Sequence, residues 1–163
     1  MERSVPLRRE EIRAGLLAGI AGAITIEVFY FLTFLPGGDA VKMLVGSFAF
    51  VSSVLVGPST RVTPAVLVFG IVLNFCVSVG WALGYVYLAR TRPQLIAHPW
   101  LSGAAFGLVV YLFSQIVLLA AGANHMLSSP EDLTIQVIAH IVFYGIPVAL
   151  VASRLLRAST GSG

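Results

Sequence analysis

AGLLAGIAGAITIEVFYFLTFL, residues 14–35, contains one carboxylate, Glu27, and no basic side chain. As an α-helix, at about 1.5 Å per residue, it is about 33 Å long, enough to cross the roughly 30 Å hydrocarbon core of a bilayer. It exceeds the roughly 7 to 15 apolar residues of a signal peptide, and no A-x-A site follows it, so it is read as a retained span. Three more runs of crossing length follow, residues 65–89, 100–121 and 132–153, with Pro64, Pro93, Pro99 and Pro130 punctuating their flanks. Pro6 is expected in the first turn of the first helix.

The rest of the composition agrees. The chain is 58% hydrophobic and 10% charged, with a mean hydropathy of +0.94, outside the range of water-soluble domains. The expectation is an all-α fold, a bundle of four transmembrane helices forming one membrane domain over residues 1–153, with a cytoplasmic tail at 154–163. The net charge of +3 does not indicate nucleic acid, because the basic residues are spread among helix ends.

A fifth apolar stretch, residues 43–57 within a short helix at 41–57, is too short to cross with confidence, and charge decides its place. If it does not cross, Arg3, Arg8, Arg9, Arg13, Arg90, Arg92, Arg154 and Arg157 share one side and only Lys42 and Arg61 lie opposite. If it crosses, the ten divide five and five. The bias of basic residues toward the cytoplasm therefore predicts a re-entrant or interfacial outer helix between spans 1 and 2, with both termini cytoplasmic.

Helix packing is expected at three small-xxx-small pairs, Gly15 with Gly19, Gly80 with Gly84, and Gly103 with Gly107, and more weakly at Gly145 with Ala149. A shift of 88 places lays Gly15 on Gly103, Gly19 on Gly107 and Glu27 on Gln115. A shift of 65 lays Gly80 on Gly145 and Gly84 on Ala149. These offsets are the mark of a duplicated two-helix unit with an insertion.

Each span carries one strongly polar side chain. Glu27, Asn74, Gln115 and His140 lie 8, 9, 6 and 8 residues from the outer ends of their runs, a depth of about 9 to 14 Å. Polar groups are costly in hydrocarbon and face partners there, so the four read as one layer. Gln136, His140 and Tyr144 form an i, i+4, i+8 column, and Ser78 extends the face of Asn74. Hydrogen bonds that hold the bundle in register are the bland reading for Asn74 and Gln115. An ionised Glu27 costs more, and the expectation is that it faces His140 and shares a proton with it.

Other chemistries find little support. Cys76 is the only cysteine and is read as packing; His98 and His125 fall in opposite loops, which leaves His140 without a second imidazole for a haem. No metal site and no cofactor is expected. Ser52, Ser53 and Ser114 are read as packing residues, and neither GxSxG, HExxH nor a phosphate loop occurs. Tyr30, Tyr85, Tyr87 and Trp100 are placed in interfacial belts, and Trp81 lies deeper, where it is able to line a cavity.

FVSSVLVGPS (50–59), GIVLNF (70–75), HPWLSGAAFGLVVYLF (98–113) and AHIVFYGIPVAL (139–150) resemble a group of small, uncharacterised bacterial inner-membrane proteins of four spans, broadly YagU-like. The likeness covers residues 14–153 and implies a fold and a location but no activity. Its pattern has His where this chain has Asn74, Asn near Gln115, and His matching His140. Asn74 departs from it, so a facing-histidine site is not implied here.

The leading expectation is a non-enzymatic inner-membrane protein whose outer polar cluster organises the bundle and binds a proton or small ligand. Its partners are the bilayer and either a second copy of the chain or another membrane component. The alternatives are a proton-linked transporter or channel subunit, with Glu27 and His140 as relay, and a quinone-binding or redox subunit. A lipid-sized pocket beside Trp81 and His140 would favour the last.

Overall fold

The computed structural model describes residues 7–57, 61–121 and 129–160. Pro6 and His125 lie outside them, so the expectations placed on those two residues do too. The described residues form α1 (Arg9–Phe34), α2 (Ala40–Val56), α3 (Pro64–Thr91), α4 (Pro93–Ala97), α5 (Pro99–Ala120), α6 (Pro130–Ile138), a π-helical segment (Ala139–Gly145) and α7 (Ile146–Thr160), with no strand among them. The fold is all-α, as expected. The 26-residue α1, the 28-residue α3, the 22-residue α5 and the continuous rod Pro130–Ala158 are long and apolar enough to cross a membrane. Large apolar side chains also cover the outside, with Leu101 75% and Ile116 64% exposed, as in a multi-pass membrane protein facing lipid. The 17 residues of α2 make only about 25 Å of helix, short of the hydrocarbon core.

Each helix that follows a flanking proline uses that proline as its first residue, where the missing N–H costs no hydrogen bond. Side chains cap two of these starts: Thr63 Oγ1 accepts from the Val66 N–H, and Ser129 Oγ from the Asp132 N–H at 3.1 Å. The apolar run of the last span ends at Ser153, but the helix does not stop there. α7 continues through Arg154 and Arg157 to Thr160, where the sequence suggests a separate tail, and an Arg157 guanidinium donates to the Ile96 and Ala97 carbonyls at the end of α4.

α1 is central. Its glycines Gly15 and Gly19 meet α3, where an added Cβ would lie 2.5 Å from Leu83 Cδ2 and 2.5 Å from Val79 Cα, and Gly22 meets Tyr144 and Val148. In the other half Gly103 and Gly107 of α5 seat on the backbone of the π segment and α7, and Gly145 faces both of them. The two pairs, α1 with α3 and α5 with the π segment and α7, are thus closed by glycines, Gly15 and Gly19 in the first and Gly103, Gly107 and Gly145 in the second. Gly15 and Gly19 pack as Gly103 and Gly107 do, while Gly80, which the 65-place shift lays on Gly145, does not pack as Gly145 does. Between α3 and α5 the contact is instead through large rings, Trp81 edge-on to Phe113 at 5.1 Å and Tyr85 tilted against Phe106 at 5.0 Å.

Gly80 and Gly84 correct an expectation. Both are exposed, with nothing within 4 Å of an added Cβ, because α3 turns its Val79 and Leu83 side toward α1. Gly80→Ala and Gly84→Ala are expected to keep unfolding in detergent within about 0.5 kcal/mol of the parent. Gly19→Ala is expected to lower it by about 1 to 3 kcal/mol through overpacking. Equal losses at all three positions would show that α3 is turned the other way.

Three further side chains sit differently from their sequence reading. Tyr85 is not an interfacial anchor: it is 3% exposed, and its hydroxyl lies 2.9 Å from Ser102 Oγ and 3.0 Å from the Leu95 carbonyl. Tyr30 turns inward, and Cys76 is exposed instead of packed. Tyr87 and Trp100 are exposed as an interfacial placement requires.

Candidate functional site

The glycine-closed pairs leave α3 and α5 splayed, and between them lies a cavity of about 440 Å³. Its walls come from α1, α2, α3, α5, α6 and the π segment. Glu27, Asn74, Gln115, Gln136, His140 and Tyr144 all line it. Its remaining surface is largely apolar and aromatic, with Phe50, Val51, Val54, Val77, Trp81 and Phe113 among the walls, a composition typical of small-molecule pockets.

Four of the polar residues form two hydrogen-bonded pairs, one in each half of the bundle. In the first half Asn74 Nδ2 donates to Glu27 Oε1 at 3.2 Å, and in the second Gln115 Nε2 donates to Gln136 Oε1 at 3.4 Å. Glu27 Oε2 is buried and has no hydrogen-bond partner, although the Ser47 hydroxyl of α2 lies beside the carboxyl. Tyr144 ties the two halves together, its Oη donating to the Ser78 carbonyl at 3.1 Å, while within the first half Ser78 Oγ donates to the Gly19 carbonyl at 2.7 Å.

The expected Glu27–His140 pair is not formed. No ion pair joins the two, although both face the cavity. His140 finds its partner within its own helix, Nδ1 lying 2.9 Å from the Gln136 carbonyl. A carbonyl only accepts, so Nδ1 carries hydrogen, and in the neutral ring Nε2 remains an acceptor. The imidazole is held edge-on to Tyr111 at 5.4 Å.

A π turn carries His140 and Tyr144, and such turns are frequent at functional sites. Pro147 accounts for part of it. It has no N–H for the Phe143 carbonyl four residues back, and Thr25 Oγ1 of α1 donates to that oxygen instead. Phe29 stacks on Phe143 at 4.2 Å beside this bond.

Two contributors went unread in the sequence. Ser47 of α2 enters the wall because Gly70 lets α2 approach α3 closely at Phe48, and Ser52 Oγ fixes that approach by donating to the Val66 carbonyl at 2.7 Å. Glu11, at the opposite end of the bundle, is 2% exposed and lies 3.2 Å from Arg8 and 3.4 Å from Arg90. Its position three residues after Arg8, like a capping-box acid, was the available signal. Among the described residues no cluster of three or more His, Cys, Asp or Glu is placed to hold a metal ion. The chain matches no protein-family model, no curated protein and no solved structure.

Proposed function

We propose that this chain is a non-enzymatic, multi-pass protein of the bacterial inner membrane, with both termini cytoplasmic. Its polar cluster holds the bundle in register, and its cavity binds one small amphipathic ligand. The eight-to-two division of basic residues supports the orientation, and the likeness of residues 14–153 to YagU-like proteins supports the location. One observation carries the ligand: six polar side chains from several different elements, four of them in two hydrogen-bonded pairs, border an apolar-walled cavity of about 440 Å³ instead of a packed core. A structural cluster alone would be filled by packing, as other membrane-helix interfaces are.

The test uses 9-anthracenemethanol, a neutral aromatic alcohol, and Trp100→Phe protein in zwitterionic nanodiscs, so that Trp81 is the chain's only tryptophan donor, with the transfer from empty nanodiscs subtracted. Saturable transfer is expected, and Ser114→Phe, which projects into the cavity, is expected to remove it. Linear transfer that Ser114→Phe leaves unchanged would reduce the cluster to an architectural role.

A quinone-binding redox subunit is the second reading. Trp81 and His140 line the same cavity, where His140 is able to meet one ring carbonyl of a quinone when its ring is turned or doubly protonated.

A further inference from the structure

We infer that the ligand of this cavity is a hydrophobic organic cation, its charge set against the Glu27 carboxylate and its apolar body among the aromatic rings. This inference rests on the ligand-binding reading above and assigns that ligand a chemical class.

Among the described residues Glu27 is the only Asp or Glu in the wall, and no Lys or Arg lines it. Nothing basic within ion-pair distance balances the carboxylate among the described residues: the ion pairs there join Glu11 to Arg8 and Arg90, and Asp39 to Lys42. Among the described residues His140 is the only group in the wall able to become cationic, and its Nδ1 is already committed to the Gln136 carbonyl. The neighbours of the Glu27 carboxyl are neutral: Asn74 Nδ2 donates to Oε1, and the Ser47 hydroxyl lies beside it, so neither brings a charge. A carboxylate held in a low-dielectric site in this way is costly unless a proton or a positive charge joins it, and a permanent cation brings the charge without the proton.

The walls complete the recognition. The faces of aromatic rings attract cations, more strongly when the cation is desolvated, and Tyr30, Phe50, Trp81 and Phe113 line the same cavity as Glu27. An inorganic cation would draw only on the oxygens of the wall and leave its aromatic surface unused, and among the described residues no cluster of three or more His, Cys, Asp or Glu is placed to hold one. An anion would meet the carboxylate as a like charge. A lipophilic ammonium or phosphonium satisfies both features, because its charge is spread and poorly hydrated and its substituents fill apolar volume.

The experiment compares two probes with one ring system: 9-anthracenemethanol, and (9-anthracenylmethyl)trimethylammonium, whose positive charge is permanent. Both are titrated into Trp100→Phe protein in zwitterionic nanodiscs, with empty nanodiscs subtracted. The cation is expected to bind about tenfold more tightly than the alcohol. Glu27→Gln is expected to bring the two affinities together while the alcohol still binds, which shows that the cavity remains formed. Glu27→Asp, which keeps the charge, is expected to keep a preference for the cation.

If the cation binds no more tightly than the alcohol in the parent protein, the inference is overturned and the cavity reading stands. A preference that survives Glu27→Gln overturns it too. If neither probe binds saturably, the cavity reading fails with it. Should Glu27→Gln not fold, the parent comparison and Glu27→Asp decide the matter.

Discussion

Gly107→Leu is expected to destabilise the protein by about 3 kcal/mol and to abolish saturable binding in the cavity. α5 meets the π segment through this residue: an added Cβ would overlap the His140 carbonyl and lie 2.9 Å from Ile141 Cα. The obstacle is backbone, which has no rotamer to yield, so the helices must part. Parting them moves Gln136, His140 and Tyr144 relative to Gln115 and opens one wall of the cavity. Unfolding in detergent measures the loss, with Gly80→Leu as a control that adds the same side chain on an exposed face. If the two variants unfold together, the seating of α5 on the π segment is wrong.

Glu11→Ala is expected to cost about 3 kcal/mol, through a different mechanism. The Glu11 side chain is 3% exposed and ties the start of α1 to Arg90 near the end of α3, while its carboxylate also accepts from the Arg8 N–H at 2.7 Å. Removing it leaves the Arg90 guanidinium, only 23% exposed, without this counter-charge. Arg8 contributes less, because its own side chain is 73% exposed and such pairs are screened. The double variant Glu11→Ala with Arg90→Ala is expected to be less destabilised than the sum of the two single changes, since it removes the stranded charge with its partner. Strict additivity in unfolding measurements would deny the pair any coupling.

The two expectations act at opposite ends of the molecule. Glu11 and Arg90 fasten the end rich in arginine, where α1 begins and α3 finishes. Gly107 fixes the level of the cavity, where the polar pairs lie. A membrane protein has no hydrophobic driving force between its helices, so close backbone packing and a few polar links carry the association. The sites of greatest expected loss are therefore a glycine and a buried carboxylate, not a large apolar side chain.

Much of the site was legible in the residues, and the reasons are local. A polar side chain in an apolar run stands out, and counting from the run ends put Glu27, Asn74, Gln115 and His140 at one depth. Helical spacing added Gln136 and Tyr144. Their partners were not legible. Glu27 turns to Asn74 because glycines bring α1 and α3 together, and His140 satisfies Nδ1 on its own helix at a π turn. That turn arises in part from Pro147, whose position was visible while its effect on helical register was not. Gly80 and Gly84 carried the same spacing as Gly15 and Gly19, yet only the latter pair is packed.

By itself the sequence determined the number of crossing helices and the starts of those that follow Pro64, Pro99 and Pro130, because hydrophobic length and proline placement act within one segment. It also determined which polar residues share a depth. Only the tertiary structure decided which face of each helix meets another helix, and so that α3 and α5 stand apart around a cavity holding Glu27. The physical reason is that lipid and protein interior are equally apolar: composition cannot tell a helix which side to bury, and the contacts of all the helices together choose it.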